Sequence, residues 1–410
     1  MKRYGLLGRS LQHSFSPGLH ELLGDYSYEL FEREEAEIPE LFRRKDIGGL
    51  NVTIPYKKTV MRFLDEISDE ARRIGCVNTI LFNEGRISGY NTDYDGLALT
   101  LDSLRVDLDG AAVVILGKGA TSRTAETVCR DRGAKAIYRL GREDHPIRDP
   151  EILAADLLIN CTPVGMYPNN GETLMELDAF KGLKGVLDVV YNPRRTKLLL
   201  DARERNIQNR DGLLMLIGQA KRAAELFTGD SISEQTTAGI LKILRARHEN
   251  IVLIGMPGSG KSALGRYLSE LTGKPFKDSD YEIELEIGMS IPDYFDKYGE
   301  EAFRKVEKAV IQRLGKETGQ IIATGGGAVK DPGNYGPLKQ NGRIYFIERE
   351  LRKLSTEGRP LSKGGIETLE KLYEERVPLY RNFSDAVLMN EEITSCAADL
   401  LEDFNEHNHH

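Results

Sequence analysis

The stretch 251-IVLIGMPGSGKSALGRYL-268 decides the fold of the second half of this chain. Its first four residues are apolar and predict a buried strand, a glycine-rich turn follows at once, and an amphipathic helix begins at Ala263. Strand, G-x-x-x-x-G-K-S and helix in this order form a phosphate-binding loop in its required context. A plain strand–loop–helix connection needs none of the four fixed positions, so the stretch predicts a nucleotide site.

The residue types of this loop suit a nucleoside triphosphate such as ATP. Glycines let backbone N–H groups curl around an anion, and the helix N-terminus adds its dipole. Lys261 is expected to reach the β- and γ-phosphates, and the Ser262 hydroxyl is expected to ligate Mg²⁺. The predicted nucleotide-binding residues of the loop are Gly258, Ser259, Gly260, Lys261, Ser262 and Ala263.

Length and composition bound the rest of the chain. A fold of this class starts a few residues before its loop, so the first ~245 residues form something else, since domains usually have ~100–200 residues. The formal net charge of −8 argues against a nucleic-acid partner. No apolar run approaches the ~20 residues of a membrane span, and the N-terminus has no signal-peptide apolar region. The 4 scattered cysteines indicate a reducing cytoplasm and no zinc site.

Polar residues stand at predicted strand ends in the first hundred residues. Ser14 and Ser16 are two apart in extended backbone and could face one ligand, although Ser16 before Pro17 also suits a helix N-cap. Lys57 stands at the mouth of a helix, where anions are favoured, and the alternative is a solvated lysine. Asn78 lies inside a predicted strand, and Asp93 follows a strand end. Because α/β folds bind ligands at strand ends, these residues predict a site.

Three motifs occur in this region in a fixed order: S-x-S-P, N-V-T-x-P-x-K and G-x-N-T-D-x-x-G. Together they resemble shikimate dehydrogenases. The resemblance implies that Lys57 and Asp93 form the catalytic pair, and it leaves open which of the two donates the proton. Hydride reduction of a ketone builds negative charge on oxygen, which a protonated lysine can stabilise. The residues implied to hold the substrate are Ser14, Ser16, Asn51, Thr53 and Asn78.

Residues 111–128 predict a strand, a glycine turn and a helix, followed by a further strand about 20 residues later, as in dinucleotide-binding folds. Shikimate dehydrogenases have G-A-G-G-A-A-R and then N-R-T, where this chain has GKGATSR and GRE. Arg142 favours NADP, whereas Glu143 and Asp144 could accept from a ribose hydroxyl and favour NAD. A surface position is the other interpretation of Arg142.

Two further segments and a helix match the same family. Residues 160–166 read N-x-T-P-x-G-M, which the resemblance places beside the nicotinamide, and it places Tyr191 and Gln219 at the substrate. The predicted NADP-binding residues are Gly117, Gly119, Ala120, Ser122, Arg123, Arg142, Thr162 and Met166. The resemblance covers residues 1–245.

Acidic and basic residues after the phosphate loop form a second set. Asp278 and Asp280 are expected to alternate in extended backbone, with an acid-rich helix start as the alternative. Arg304 and Glu307 are three apart on one helix face, which could also be a surface salt bridge. Three glycines at 325–327 end a strand and allow close approach to a ligand.

These residues belong to the motifs D-x-D, F-R-x-x-E, G-G-G, R-P-L and R-x-P-x-Y, which together resemble shikimate kinases over residues 250–405. The resemblance implies that Lys261, Asp280 and the lid residue Arg359 are catalytic, and that Arg352 and Arg359 contact ATP. It implies Ser262 and Asp278 as the Mg²⁺ ligands. The residues implied to bind shikimate are Asp280, Arg304, Gly325, Gly326, Gly327 and Arg376.

The sequence therefore predicts an α/β protein with three domains. Residues 1–100 and 211–245 are expected to bind substrate, 101–210 to form a Rossmann-like NADP domain, and 248–410 a P-loop kinase with a parallel sheet, closely joined because no flexible linker intervenes. The expected enzyme reduces 3-dehydroshikimate to shikimate with NADPH and phosphorylates shikimate with ATP. The alternatives are an NAD-dependent quinate/shikimate dehydrogenase fused to the kinase, and a catalytically silent regulatory binding protein.

Overall fold

A computed structural model describes residues 2–11, 15–83, 85–144, 147–354 and 366–408. The chain divides into two compact units. One consists of Met1–Met166 and Thr173–Leu241, and the other of Tyr167–Glu172 and Lys242–His410. None of the helices in these described ranges is both long and apolar enough to cross a lipid bilayer.

A mixed six-stranded sheet begins the first unit, in the order β2-β1-β3-β5-β6-β4. The pairs β3–β5 and β5–β6 are antiparallel and the others are parallel. Every residue of the central strand β3 is buried, as expected of a strand covered on both faces. The strands are β1 (Arg3–Gly8), β2 (Tyr28–Glu32), β3 (Ile47–Val52), β4 (Glu66–Ile67), β5 (Thr79–Asn83) and β6 (Arg86–Tyr90). The helices are α1 (Ser16–Leu23), α2 (Ile38–Arg43), α3 (Asp69–Ile74) and α4 (Asp93–Leu104).

The second sheet of this unit is entirely parallel, in the order β11-β10-β9-β7-β8. Because β7 lies between β8 and β9, the glycine turn that follows β7 stands at the switch point where such sheets bind ligands. The strands are β7 (Ala112–Leu116), β8 (Ala136–Leu140), β9 (Leu157–Asn160), β10 (Gly185–Asp188) and β11 (Gln208–Arg210). The helices are α5 (Ala120–Asp131), α6 (Lys197–Glu204) and α7 (Leu213–Thr228).

Helices α4 and α7 cross with their backbones close together. A Cβ atom added at Gly96 would lie 2.3 Å from the carbonyl oxygen of Met215, and one at Gly218 would lie 2.9 Å from the Cα of Gly96. Only glycine fits at such a crossing. The approach brings Met215 and Gln219 of α7 to the side of Asp93, the first residue of α4.

The second unit contains a parallel five-stranded sheet in the order β13-β14-β12-β15-β16. Its central strand β12 is fully buried. Helix α8 directly precedes β12, and the division between the two units falls within this helix. The strands are β12 (Asn250–Ile254), β13 (Phe276–Asp278), β14 (Ile321–Ala323), β15 (Gly342–Glu348) and β16 (Ala386–Met389). The helices are α8 (Glu234–His248), α9 (Lys261–Thr272), α10 (Ser279–Ile287), α11 (Ile291–Lys316), α12 (Tyr335–Lys339), α13 (Ile366–Phe383) and α14 (Ile393–His407).

Two local expectations from the sequence are wrong. Ser16 is the first residue of α1 and Phe15 occupies the capping position, so Ser16 is not an N-cap. Asp278 and Asp280 do not alternate in extended backbone, because the chain turns helical at Ser279. The Asp278 carboxylate accepts a hydrogen bond from the Asp280 N–H and caps α10, which is the acid-rich helix start that was the alternative.

Candidate functional sites

A cavity of about 500 Å³ in the first unit collects the residues predicted to hold the substrate. They come from the ends of strands in both sheets, from the starts of helices α1 and α4, and from α7. Residues about two hundred positions apart therefore meet at one site. Ser14 lies outside the described residues. The predicted residues that line this cavity are Ser16, Asn51, Thr53, Lys57, Asn78, Asp93, Tyr191 and Gln219.

Lys57 and Asp93 form a close ion pair in this cavity. The Lys57 Nζ donates to Asp93 Oδ2 at 2.6 Å. Lys57 lies just before a short 3-10 helix at Thr59–Phe63. Burial alone would lower the pKa of Lys57, but the charge and the hydrogen bond of Asp93 outweigh it and raise the pKa. The pair therefore presents a protonated ammonium group at neutral pH.

Buried hydrogen bonds fix the two amide side chains of the cavity. Asn51 Oδ1 accepts from the Tyr28 hydroxyl at 2.7 Å, and its Nδ2 donates to Thr79 Oγ1 at 3.0 Å. Asn78 Oδ1 accepts the Thr92 N–H at 2.7 Å. Sequence reasoning missed Tyr28, which stands 23 residues before Asn51 in a different strand and has no motif of its own. The polar wall is thus held in place before any ligand enters.

A second cavity of the first unit, of about 400 Å³, lies at the carboxyl edge of the parallel sheet. Gly117 has a φ of 112°, and a Cβ atom there would lie 3.2 Å from the carbonyl oxygen of Cys161. The glycine turn therefore packs directly on the loop that follows β9. The turn lines the cavity and leads into α5, so the N-terminus of that helix lies beside the cavity, as an anion site requires. The predicted NADP residues that line it are Gly117, Gly119, Arg142 and Thr162.

The other four predicted NADP residues do not line this cavity. Ala120 is the first residue of α5, and the buried Ser122 hydroxyl donates to the Gly119 carbonyl at 2.9 Å. The Arg123 Nε donates to the Ile74 carbonyl at 2.9 Å, and Met166 is 44% exposed. Their contacts with a dinucleotide stay predictions.

Lys118 balances the two acidic residues that left the choice of nucleotide open. Its Nζ forms ion pairs with Glu143 and, at 3.0 Å, with Asp144. Lys118, Arg142 and Glu143 line the same cavity. The two carboxylates that could accept from a ribose hydroxyl therefore already have a partner, which weakens the argument for NAD.

The third cavity, of about 150 Å³, lies in the second unit at the end of β12. The Nζ of the buried Lys261 donates to the carbonyls of Gly255 and Met256, both at 2.9 Å. Arg352 is in a short exposed turn, and Arg359 lies outside the described residues. The predicted residues that line the cavity are Lys261, Ser262, Asp278, Asp280, Arg304, Gly325, Gly326, Gly327 and Arg376.

Ser262 and Asp278 fit the predicted Mg²⁺ site. The Ser262 hydroxyl donates to Asp278 Oδ2 at 2.6 Å, so a hydroxyl and a carboxylate oxygen lie side by side. Within the described ranges, no group of three or more His, Cys, Asp or Glu could hold a metal. Magnesium usually takes one or two carboxylates together with phosphates and water, so these two side chains suit it.

Two arginines and a glycine run form the other end of this cavity. Arg304 Nη1 donates to Glu307 Oε2 at 2.7 Å, and Glu307 is 1% exposed, so the pair is not a surface salt bridge. Arg376 Nη1 donates to the Gly326 carbonyl at 3.1 Å. A Cβ atom at Gly327 would lie 2.5 Å from Arg304 Nη1, so the glycine makes room for the guanidinium. Two such groups suit a carboxylate ligand.

Asn390 supports the phosphate-binding loop and was missed by sequence reasoning. Its buried Nδ2 donates to the Ser259 carbonyl at 2.7 Å, from a position just after β16. A Cβ atom at Gly260 would lie 2.4 Å from that nitrogen. A single asparagine 131 residues from its partner carries no signal in the sequence.

Family models match both halves of the chain. The model described as the shikimate dehydrogenase substrate binding domain matches residues 6–80, and the model described as shikimate kinase matches residues 257–405. The NADP(+) shikimate dehydrogenase of Clostridium perfringens strain SM101 is 37% identical over 270 residues, which is 60% of this chain and 100% of that protein. The corresponding enzyme of Pyrococcus abyssi is 38% identical over 248 residues, covering 56% of this chain and 93% of that protein.

Solved structures resemble the same portion of the chain. A chorismate mutase/shikimate 5-dehydrogenase fusion protein from Clostridium acetobutylicum is 36% identical, with a TM-score of 0.55, over 60% of this chain and 97% of that one. The shikimate 5-dehydrogenase of Thermus thermophilus, solved with NADP(H) and shikimate, is 29% identical, with a TM-score of 0.52, over 58% and 98%.

Proposed function

Because the chain belongs to the shikimate dehydrogenase family and continues into a shikimate kinase domain, we propose that its two units act on one molecule in succession. It is a bifunctional enzyme of the shikimate pathway. It reduces 3-dehydroshikimate to shikimate with NADPH and phosphorylates shikimate with ATP to shikimate 3-phosphate. One observation supports the proposal most strongly. Among the described residues, the dehydrogenase motifs line a cavity of the first unit, and the kinase motifs line a separate cavity of the second unit.

In the first reaction, Lys57 places its ammonium group where negative charge develops on the ketone oxygen. Asp93 holds that group and keeps it protonated. Bound NADPH would supply the hydride, and the Lys57–Asp93 pair supplies the proton that completes the alcohol. Asn51 and Asn78 bind the ring hydroxyls of the substrate, and their fixed amides reduce the entropy that binding would otherwise lose.

In the second reaction, Asp280 accepts the proton of the shikimate hydroxyl, and Arg304 and Arg376 bind the shikimate carboxylate. Lys261 leaves its two loop carbonyls to reach the phosphates of ATP. Ser262 and Asp278 would hold Mg²⁺, which would neutralise charge on the phosphates.

The proposal also assigns a role to each domain. Residues 1–100 and 211–245 bind the ketone, 101–210 bind NADP, and 248–410 form the kinase. Arg142 supplies the positive charge that favours NADP, and Lys118 pairs with the carboxylates of Glu143 and Asp144. The 4 free cysteines and the reliance on NADPH and ATP support a cytoplasmic location.

A coupled assay with the whole chain tests this function. With 3-dehydroshikimate, NADPH, ATP and Mg²⁺, we expect shikimate 3-phosphate. Without ATP, the product is shikimate, and without NADPH, the ketone is unchanged. In the reverse reaction, we expect much lower rates of oxidation with quinate in place of shikimate, or with NAD in place of NADP. Equal rates with quinate and NAD would favour the quinate/shikimate alternative, and no turnover of either substrate would favour a regulatory protein.

A further inference from the structure

Asp188 is a fully buried carboxylate at the end of β10 that takes no part in the mechanism above. Its Oδ1 accepts two hydrogen bonds, from Asn160 Nδ2 at 2.9 Å and from the Val190 N–H at 3.0 Å. Its Oδ2 accepts one from the Thr196 hydroxyl at 2.7 Å. Burial raises the pKa of Asp188 to about 7. The three hydrogen bonds offset part of the cost of burying this carboxyl group.

The first contact leads to the nucleotide cavity. Because Asn160 Nδ2 donates to Asp188, the other amide atom, Oδ1, faces Thr162. There it accepts from the Thr162 N–H at 3.0 Å and from the Thr162 hydroxyl at 2.7 Å. A reversed amide would set its NH₂ group against these donors. Asp188 is the nearer of two acceptors of this nitrogen, the other being the Val164 carbonyl at 3.5 Å, and it thereby helps to orient Asn160, which in turn holds Thr162, a residue of the NADP cavity.

The second contact leads to the substrate cavity. The Val190 N–H that Asp188 accepts stands between Val189 and Tyr191, and both of these residues line that cavity. One oxygen atom thus contacts the last residue of β9 and the loop after β10 at once. The two strands are direct neighbours, with Asp188 opposite Asn160 in the parallel register.

We propose that Asp188 is a positioning residue for hydride transfer, which aligns the nucleotide loop with the substrate loop through Asn160 and the Val190 N–H. The proposal rests on the proposed reduction reaction. Reactant alignment decides such steps, since a displacement of 1 Å far from the chemistry can lower a rate ~100-fold. Loss of Asp188 should therefore slow hydride transfer itself.

The test compares Asp188→Ala with Asp188→Asn in the whole chain. Asparagine keeps an oxygen for the two donors, and its NH₂ group can donate to the Thr196 hydroxyl, which rotates to accept. We expect Asp188→Ala to lower kcat for ketone reduction at least ~10-fold, and Asp188→Asn to stay within ~3-fold of wild type. The isotope effect with NADPH deuterated at the transferred position should increase in Asp188→Ala, because hydride transfer becomes more rate-limiting. Phosphorylation of shikimate by the same polypeptide should not change.

Asp156→Ala is the matched control. Asp156 directly precedes β9, at the amino-terminal end of the strand and away from the cavities. Its carboxylate accepts a hydrogen bond from the Ala112 N–H at 2.9 Å and forms an ion pair with Lys184 at 2.9 Å. Its loss should lower the Tm and leave kcat and the isotope effect unchanged. If Asp188→Ala does not fold, Asn160→Ala removes only the nucleotide-side link and should raise KM for NADPH and lower kcat.

The results that overturn the proposal are distinct from failure of the function itself. A wild-type kcat and isotope effect in folded Asp188→Ala would refute it, as would an equal loss in Asp188→Asn or in Asp156→Ala. If Asn160→Ala is the variant measured, wild-type KM and kcat would refute it. If wild-type protein reduced no ketone at all, the proposed reaction would be wrong instead.

Discussion

At the scale of single residues, Lys57 shows how a neighbour sets the chemistry of a side chain. Burial favours the neutral amine, whereas the carboxylate 2.6 Å away favours the ammonium ion, and the carboxylate prevails. The raised pKa keeps Lys57 charged throughout the neutral range, so charge at the ketone oxygen does not depend on small changes of pH.

Lys57→Ala should lower the rate of ketone reduction by at least ~100-fold, because it removes the positive charge at the developing oxyanion and one member of the pair that supplies the proton. NADPH oxidation measures this loss. Phosphorylation of shikimate by the same protein should be unchanged. The neighbouring Lys58→Ala, at an exposed position, is the matched control and should reduce the ketone normally. Near-normal NADPH oxidation by Lys57→Ala would remove this residue from the mechanism.

The predicted residues that the structure gathers at the cavities lie in short motifs, whereas the residues that the sequence missed have distant partners. Lys57 and Asp93 follow strand ends within recognisable patterns. Tyr28, Asp188 and Asn390 contact partners 23, 28 and 131 residues away, each on another strand or loop. Local pattern carries no information about such pairs, because the sheet order that joins them is set by the whole fold.

At the scale of elements, apolar patterns predicted strands and helices such as β12 and α9, but the first and last residues of the elements were less certain. The start of α10 was ambiguous because an acidic pair suits both extended backbone and a helix N-terminus. The Asp278 cap decides the matter, and a side-chain hydrogen bond of that kind is visible only in three dimensions. The close crossing of α4 and α7 was likewise unpredicted, although Gly96 belongs to a motif quoted from the sequence.

Gly96→Ala should destabilise the first unit by about 1–3 kcal/mol, because its Cβ atom would overlap the Met215 carbonyl and push α7 away. Since α7 carries Gln219, the KM for 3-dehydroshikimate should rise as well. Thermal unfolding and steady-state kinetics measure the two effects.

Gly239→Ala in α8 is the control for that substitution. A Cβ atom there meets nothing within 4 Å, and alanine favours helix by up to about 1 kcal/mol, so stability should be unchanged or higher. Equal stability and equal KM in Gly96→Ala and wild type would show that the helix crossing is not tight in solution.

At the scale of the whole molecule, two motif sets in one chain name the same compound. The sequence predicted this pairing because each set is local to its own half. The sequence prediction ends the first half at residue 245 and begins the kinase at 248, and the compact units divide at Leu241 and Lys242, within α8.

The most direct test of the account is calorimetric titration of the whole chain with shikimate, in the presence of NADPH and of ADP with Mg²⁺, a combination that neither unit can turn over. We predict two molecules bound per chain. Asn51→Ala should remove the site of the first unit and Arg304→Ala that of the second, leaving one molecule bound in each case. A stoichiometry of one or none in the folded wild-type protein would contradict the claim that both units recognise the same acid.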